Sequence, residues 1–384
     1  MILHLLEDDK NIVNRTIFMY EKLAPKNNEY WVEDQGEHVL AFIEESKYVK
    51  RLKFDSLIDK IECFKYRAII FHALSFPKIS FLSKLTKLSG LKLIWILWGA
   101  DLYSHLHLKG YKLLNYEPSM LDINERILFY GGLKGFMLLQ IKKVMKKRKC
   151  VLSNFEQAIS KLDIVCAYDE DFSLLKKYFL NVSSKCLFYN YYPIEISLGE
   201  KLINRQVTEN NILIGNSNAP TNNHYSAFQI IYNNKNISSK IIVPLSYGGS
   251  KGYRKFIIDK GKKMFGDKFT PLINFLPIND YYELLLTCGI LIMPHLRQQA
   301  VGNIVIVLYL GAKVYLYEEN SLYSFFNKIG VTVFSINKIT NSPEEFSLLD
   351  QSTILRNRKI IEKYFSTNAT EKYIDILIKT INQE

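Results

Sequence analysis

Apolar runs of β character recur along the chain, each followed by a stretch of helical periodicity. The runs are Ile2–Leu6, Ala68–Phe71, Leu93–Leu97, Ile164–Ala167, Leu187–Tyr189, Ile212–Ile214, Lys240–Val243, Ile290–Met293 and Val314–Tyr317. Strands that alternate with helices predict parallel sheets covered on both faces. The runs fall into two sets, separated by the polar stretch Ser197–Asn211. Two α/β domains are therefore expected, 1–200 and 201–384, with the final helix near Thr370–Ile381 able to pack on either.

The second half carries the clearer chemistry. Strand Ile212–Ile214 breaks into Gly215-Asn216-Ser217, and Thr221-Asn222-Asn223-His224 then opens a helix running to Asn233. Such a corner aims backbone N–H groups and a positive helix end at an anion. After strand Ile290–Met293, Arg297-Gln298-Gln299-Ala300-Val301-Gly302-Asn303 repeats the arrangement before the helix Gly302–Leu310. A third strand, Lys240–Val243, ends in Pro244-Leu245-Ser246-Tyr247. Ligands of open parallel sheets bind beyond the carboxyl ends of the strands, and all three segments lie there. Two anion-friendly corners on one unit suggest a nucleotide-diphosphate site.

From Leu284 to Ala312 the only full charge is Arg297, a length that invites a membrane-span reading. Pro294, His295, Gln298, Gln299, Gly302 and Asn303 interrupt it, and an isolated helix in lipid would have to satisfy them all. A soluble helix–strand–loop–helix is expected instead.

Composition narrows the classes. With 48% hydrophobic and 23% charged residues, the 384-residue chain is ordinary globular material. A net charge of +12 favours anionic partners without choosing among nucleic acid, lipid head groups and phosphorylated substrates. Five scattered cysteines without a C-x-x-C fit a reducing compartment and no zinc site. Asp169-Glu170-Asp171 has a metal-binding D-x-D form, but it opens a helix with lysines at its far end, so an N-terminal acidic turn is the better account. Neither a metal nor a cofactor is expected.

Several blocks occur in an order that resembles the TDP-N-acetylfucosamine:lipid II N-acetylfucosaminyltransferase family, also called the 4-alpha-L-fucosyltransferase family. They are His4 with Asn14-Arg15-Thr16, Phe71-His72, and Trp95-Ile96-Leu97-Trp98-Gly99-Ala100-Asp101-Leu102-Tyr103. In the second half they are Gly215-Asn216-Ser217 with Asn222 and His224, Val243-Pro244 with Tyr247, Arg297-Gln298-Gln299 with Gly302 and Gly311, and Glu319-Asn320. The resemblance implies an α/β fold of GT-B type, two Rossmann-like domains with a central cleft. It implies a glycosyltransferase that moves a 4-acetamido-4,6-dideoxygalactose residue from a dTDP-sugar donor to an undecaprenyl-diphosphate-linked saccharide, in enterobacterial common antigen or O-antigen assembly. The place implied is the cytoplasmic face of the bacterial inner membrane. The alternatives are a transferase of O-antigen or capsule assembly with another donor sugar, and a dinucleotide-dependent oxidoreductase. The chain lacks the G-x-G-x-x-G that the oxidoreductase needs.

On this reading Gly215, Asn216, Ser217, Asn222, His224, Pro244, Tyr247, Arg297, Gln298, Gln299, Gly302 and Asn303 bind the nucleotide sugar. Arg297 also neutralises the departing diphosphate, because a guanidinium fork fits phosphate oxygens and always carries its charge. Asp101, at a strand end beside two tryptophans, and Asp9, after the first strand, are the candidate bases for the acceptor hydroxyl. Asp101 could instead cap the helix that opens at Leu102-Tyr103. His4 and His72 read as core histidines.

Lys142-Lys143-Val144-Met145-Lys146-Lys147-Arg148-Lys149 places six cations after an apolar run, as in a basic helix that lies on an anionic membrane surface. No recognised nucleic-acid module accompanies it, and no nucleic-acid partner is expected. The protein should sediment with anionic vesicles, and charge reversal of Lys142, Lys143, Lys146 and Lys147 should abolish this. Undiminished sedimentation of that variant would remove the surface helix from the account.

Overall fold

The computed structural model describes residues 1–33, 49–52, 65–86, 89–115, 123–129, 147–233, 237–340 and 342–383. They form two units. One comprises Met1–Tyr111, Lys146–Pro193 and Thr367–Glu384, the other Lys112–Met145 and Ile194–Ser366.

The first unit is built on seven parallel strands: β1 (Ile2–Leu6), β2 (Asn28–Glu33), β3 (Val49–Leu52), β4 (Ala68–His72), β5 (Lys92–Ile96), β6 (Ile164–Cys166) and β7 (Lys185–Leu187). Their order is β3-β2-β1-β4-β5-β6-β7. The order reverses between β1 and β4, which makes the ends of those strands the unit's switch point. β1 and β4 are buried along their whole length, as a central strand covered on both faces must be. Helices α1 (Lys10–Leu23), α2 (Phe76–Lys84) and α3 (Ala100–Leu108) follow β1, β4 and β5. The final helix, Thr367–Asn382, returns to this unit, packs on α1 and pairs Glu371 with Lys22.

The second unit has six parallel strands: β8 (Ile212–Ile214), β9 (Ile241–Pro244), β10 (Phe269–Leu272), β11 (Ile290–Met293), β12 (Lys313–Leu316) and β13 (Phe334–Ser335). The order is β10-β9-β8-β11-β12-β13, so its switch point lies between β8 and β11. The segment Leu284–Ala312 resolves into the end of a helix (Ile278–Leu286), β11, a loop, and a helix Val301–Leu310 that is buried nearly all round. Among the described residues no helix is long and apolar enough to cross a membrane.

Sequence periodicity missed β2, β3, β10 and β13. β3 is a half-exposed edge strand, β10 is an edge strand containing Pro271, and β13 has two residues, so none of these three offers a buried apolar run, while in β2 only Tyr30-Trp31-Val32 is buried, between polar ends. Ile194–Leu202, which overlaps the expected interdomain stretch, is a helix whose Ile194, Leu198 and Leu202 are buried within the second unit. The expected helix Asn222–Asn233 begins later. A 3₁₀ turn at Pro220–Asn222 gives way at Asn223, φ 47°, to a helix His224–Tyr232. This offset turns Asn222 inward.

Candidate active site

At the switch point of the second unit, the two polar corners lie side by side because β8 and β11 pair directly, with Ile214 beside Ile292. The side chain of Asn222 joins them. Its Oδ1 accepts the Asn216 N–H at 2.8 Å and faces His295 Nε2 at 2.9 Å. Its Nδ2 donates to Ser217 Oγ and to the Ala219 carbonyl, both at 3.0 Å. Gly215 has φ 69°, and a Cβ there would stand 2.6 Å from Asn222 Oδ1 and 2.8 Å from His224 Nε2, so only glycine fits. Gln299 adds a second tie, donating to Asn216 Oδ1 at 2.9 Å and accepting from Thr221 Oγ1 at 3.0 Å.

The second corner ends at Ala300, which holds a left-handed φ of 59° just before the helix Val301–Leu310. A non-glycine residue there is strained. An alanine cannot cap, and among the described residues no side-chain cap is present there. The first N–H groups of that helix, including those of Gly302 and Asn303, therefore keep their capacity to bind an anion. Arg297 stands in the same loop, half-buried. Its Nη1 donates to the Gln298 carbonyl at 2.9 Å, and its own carbonyl is held by Asn320 Nδ2 at 2.9 Å. Gln298 is buried, and its Oε1 finds no hydrogen-bond partner among the described residues. An unpaired buried acceptor costs about 1–3 kcal/mol and calls for an explanation.

Tyr247 lies beyond Pro244, the buried last residue of β9. Its hydroxyl accepts from Asn216 Nδ2 at 3.2 Å, and its ring stacks on Phe275 with centroids 5.5 Å apart and planes at 22°. Both rings are exposed, 44% and 71%, so the pair presents an aromatic plate beside the corners. Phe275 was not legible in the sequence, because β10, the strand before it, was not.

Several expected ligand-binding residues prove to be supports. Ser217, Asn222 and His224 are buried, and in the first corner Asn216 and Thr221 are partly exposed. His224 is buried under Gly215 with Nδ1 3.2 Å from the Tyr253 hydroxyl, and its Nε2, on the side of the turn, finds no hydrogen-bond partner among the described residues. Burial lowers its pKa to about 3.

At the switch point of the first unit, Asp101 is an anchor. Its Oδ2 accepts the Leu74 N–H at 3.1 Å and the Trp95 indole N–H at 2.7 Å, and its Oδ1 accepts the Trp98 and Leu102 N–H groups at 3.1 and 3.2 Å. These four bonds fill the carboxylate's lone pairs, leaving no place for a substrate proton. Burial pushes its pKa up, opposed by the bonds from Trp95, Leu74 and Trp98. Asp9 accepts the Ile12 N–H at 3.1 Å, the geometry of a helix N-cap. Asp171 of the D-x-D is buried and takes the Tyr103 hydroxyl at 2.7 Å. Among the described residues no group of three or more His, Cys, Asp or Glu could hold a metal.

His4 and His72 are both fully buried and belong to a hydrogen-bond chain whose direction can be derived. Asn28 Nδ2 donates to the Tyr20 and Ala24 carbonyls and to Glu21, so its Oδ1 faces His4 Nε2 as an acceptor at 3.3 Å. His4 Nε2 therefore carries the proton, and His4 Nδ1 accepts from His72 Nε2 at 3.1 Å. His72 Nδ1 then accepts from the Tyr191 hydroxyl at 2.9 Å. Burial keeps both rings neutral, with the His4 pKa lowered to about 3 and that of His72 well below its usual range. Lys142, Lys143 and Lys146 lie outside the described residues. Lys147 and Arg148 fall in the helix Lys147–Ile159, where their side chains are not described.

A model of the family described as 4-alpha-L-fucosyltransferase, glycosyl transferase group 56, matches residues 153–381, more than half of the chain. Among solved structures, the chain is similar to a sucrose-phosphate synthase from Thermosynechococcus elongatus, with a TM-score of 0.62, 10% identity, and coverage of 99% of this chain and 98% of that one. It is also similar to HepE of Anabaena in complex with UDP, with a TM-score of 0.62, 11% identity and 99% coverage of both chains. WaaG, described as a glycosyltransferase involved in lipopolysaccharide biosynthesis, matches with a TM-score of 0.53, 10% identity and coverage of 100% of this chain and 96% of that one. At such identities the likeness speaks for the fold alone, and that fold is GT-B.

Two outcomes follow from this geometry. Asn222→Ala strips the Asn216 N–H and His295 of a buried partner and should cost about 2–4 kcal/mol of stability, read as a lower denaturant midpoint. The buried histidines predict a pH effect with a definite sign. Above the ordinary value of 6.5 both states are neutral. Below it the unfolded chain takes up protons that folded His4 and His224 refuse down to about 3. Stability should therefore fall from pH 6.5 towards 3, and a melting temperature that stays flat from pH 7 to 4 would contradict the neutral assignment.

Proposed function

As a member of the 4-alpha-L-fucosyltransferase family, glycosyl transferase group 56, the chain is a glycosyltransferase, and we propose that it takes a dTDP-sugar donor in its second unit. The observation that carries this reading is the side-by-side placement of the two corners at the β8–β11 switch point, with Arg297 in one of them. The diphosphate lies against the N–H groups at the start of Val301–Leu310 and the Arg297 guanidinium, the two positive features of the site. Arg297 stabilises the charge that develops on the diphosphate as it leaves. Asn216 and Asn303 supply amides towards the sugar. Gln299 is engaged in tying the corners, and its remaining bonding capacity faces the same ligand.

The Tyr247–Phe275 plate is suited to the base, because an exposed pair of aligned rings offers stacking area without further ordering. The unpaired Gln298 Oε1 would accept a hydrogen bond from an acetamido N–H of the sugar, which supports a 4-acetamido-4,6-dideoxygalactose residue. The acceptor proposed is an undecaprenyl-diphosphate-linked saccharide of enterobacterial common antigen or O-antigen assembly, taken by the first unit. An enzyme with such an acceptor works peripherally at the cytoplasmic face of the inner membrane, and the basic run at Lys142–Lys149 serves that placement.

Calorimetric titration with dTDP, UDP, GDP and NAD tests the donor. The expected result is selective binding of dTDP, weakened about tenfold, or about 1.4 kcal/mol, by Arg297→Ala. Selective binding of UDP or GDP would replace the donor while keeping the fold, and NAD binding would reverse the choice of enzyme class.

A further inference from the structure

Resting on the glycosyltransfer reading, we propose that Glu7 is the carboxylate that takes the proton of the acceptor hydroxyl. Four acids, Glu7, Asp8, Asp9 and Asp101, follow β1 and β5 at the carboxyl end of the first unit's sheet, and three are placed otherwise. Asp101 is filled by four N–H donors, Asp9 caps α1, and Asp8 turns Oδ1 into the interior. Glu7 immediately follows β1 at the switch point, with its side chain 27% exposed. Its Oε1 pairs with Lys78 Nζ at 2.6 Å, and among the described residues its Oε2 accepts no hydrogen bond.

The setting of Lys78 supports the assignment. Its side chain is fully buried, and Nζ also donates to the His72 carbonyl at 2.7 Å. A lone ammonium in that position would cost several kcal/mol; burial lowers the Lys78 pKa, and Glu7 foremost, with Asp101 and Glu33, opposes that shift. The next residue, Ala73, is held at a left-handed φ of 59°, one of four non-glycine residues with positive φ among those described. That strained turn directs the His72 carbonyl to Lys78 and the Leu74 N–H to Asp101. The His72 ring is fixed from its other side by the neutral chain to His4 and Asn28. Glu7 is thus oriented through Oε1 by rigid parts, while Oε2 stays available.

The step balances as a single displacement. The acceptor oxygen bonds to the anomeric carbon as its O–H bond breaks. The anomeric C–O bond to the diphosphate breaks with its electron pair on the leaving nucleoside diphosphate. The proton goes to Glu7 Oε2. The anomeric configuration of the product is inverted.

The test measures transfer from dTDP-linked 4-acetamido-4,6-dideoxygalactose to an undecaprenyl-diphosphate-linked saccharide in detergent, with dTDP binding by calorimetry in parallel. Glu7→Gln keeps an oxygen for Lys78 and should lower kcat by about 10²–10⁴-fold while dTDP affinity stays within about twofold. Glu7→Ala should regain part of its rate with added formate. If Glu7→Gln does not fold, Glu7→Asp keeps the charge and withdraws the carboxylate by one methylene, and it should lose at least about tenfold in kcat. Full turnover by folded Glu7→Gln, or a product of retained configuration, overturns the proposal while leaving the donor site standing. Failure of the wild type to bind dTDP overturns both.

Discussion

One side-chain amide, that of Asn222, sets the geometry on which the second unit depends. It lies under the Gly215 turn, fixes the Asn216 N–H, and reaches across to His295 on the neighbouring strand-end loop. Without it the two loops would be joined, among the described residues, only by the Gln299 ties and the bond from Asn223 to the Pro294 carbonyl. An anion site made from backbone N–H groups works only if those groups are already aimed, since reorganising them on binding consumes the interaction energy. Asn222, Asn223 and Gln299 hold the loops themselves in place, Asn222 by taking up the Asn216 N–H and Asn223 Nδ2 by reaching the Pro294 carbonyl at 2.9 Å. Asn222 and Asn223 are both fully buried beneath the corners.

The first unit meets the same requirement with different chemistry. Its strand ends are pinned by a carboxylate that gathers N–H groups, Asp101, and by a buried cation that bridges a carbonyl and an acid, Lys78. The neutral His4–His72–Tyr191 chain braces this from behind. It stays neutral because the two rings are fully buried, and a charge on either would be desolvated. Both units also place an alanine in the left-handed region at a strand-end loop, Ala73 after β4 and Ala300 after β11. Strain of that kind persists only where surrounding contacts over-determine it. Here those contacts are Asp101 and Lys78 in one unit, and Asn320 and the corner ties in the other.

The alternation of apolar runs and helices was enough to see two α/β units and to place the corners at strand ends, because central parallel strands need nearly continuous apolar sequence. Gly215, Arg297, Gly302 and Asn303 could be picked out for the same reason: each interrupts or follows such a run. The roles of Ser217, Asn222 and His224 could not. A polar residue in a loop reads the same whether it faces ligand or supports the loop, and the offset of one helix start by two residues decided which it was. Asp101 looked like a base from its strand-end position, yet only the fold brings Leu74 and Trp95 onto its carboxylate. Glu7 was overlooked in favour of Asp9 because its buried partner, Lys78, lies 71 positions away.

By itself, then, the sequence determined the layers, the parallel sheets, the polar corners and the family, all of which are carried by local pattern and short blocks. Tertiary structure decided which groups are presented and which are consumed. That division has a physical cause. Secondary structure answers to periodicity within a dozen residues, whereas the availability of a lone pair or an N–H depends on whichever distant group occupies it first. The pairing of β1 with β4 and of β8 with β11 brings those groups together, so the assignment of catalytic and supporting roles exists only in the folded chain.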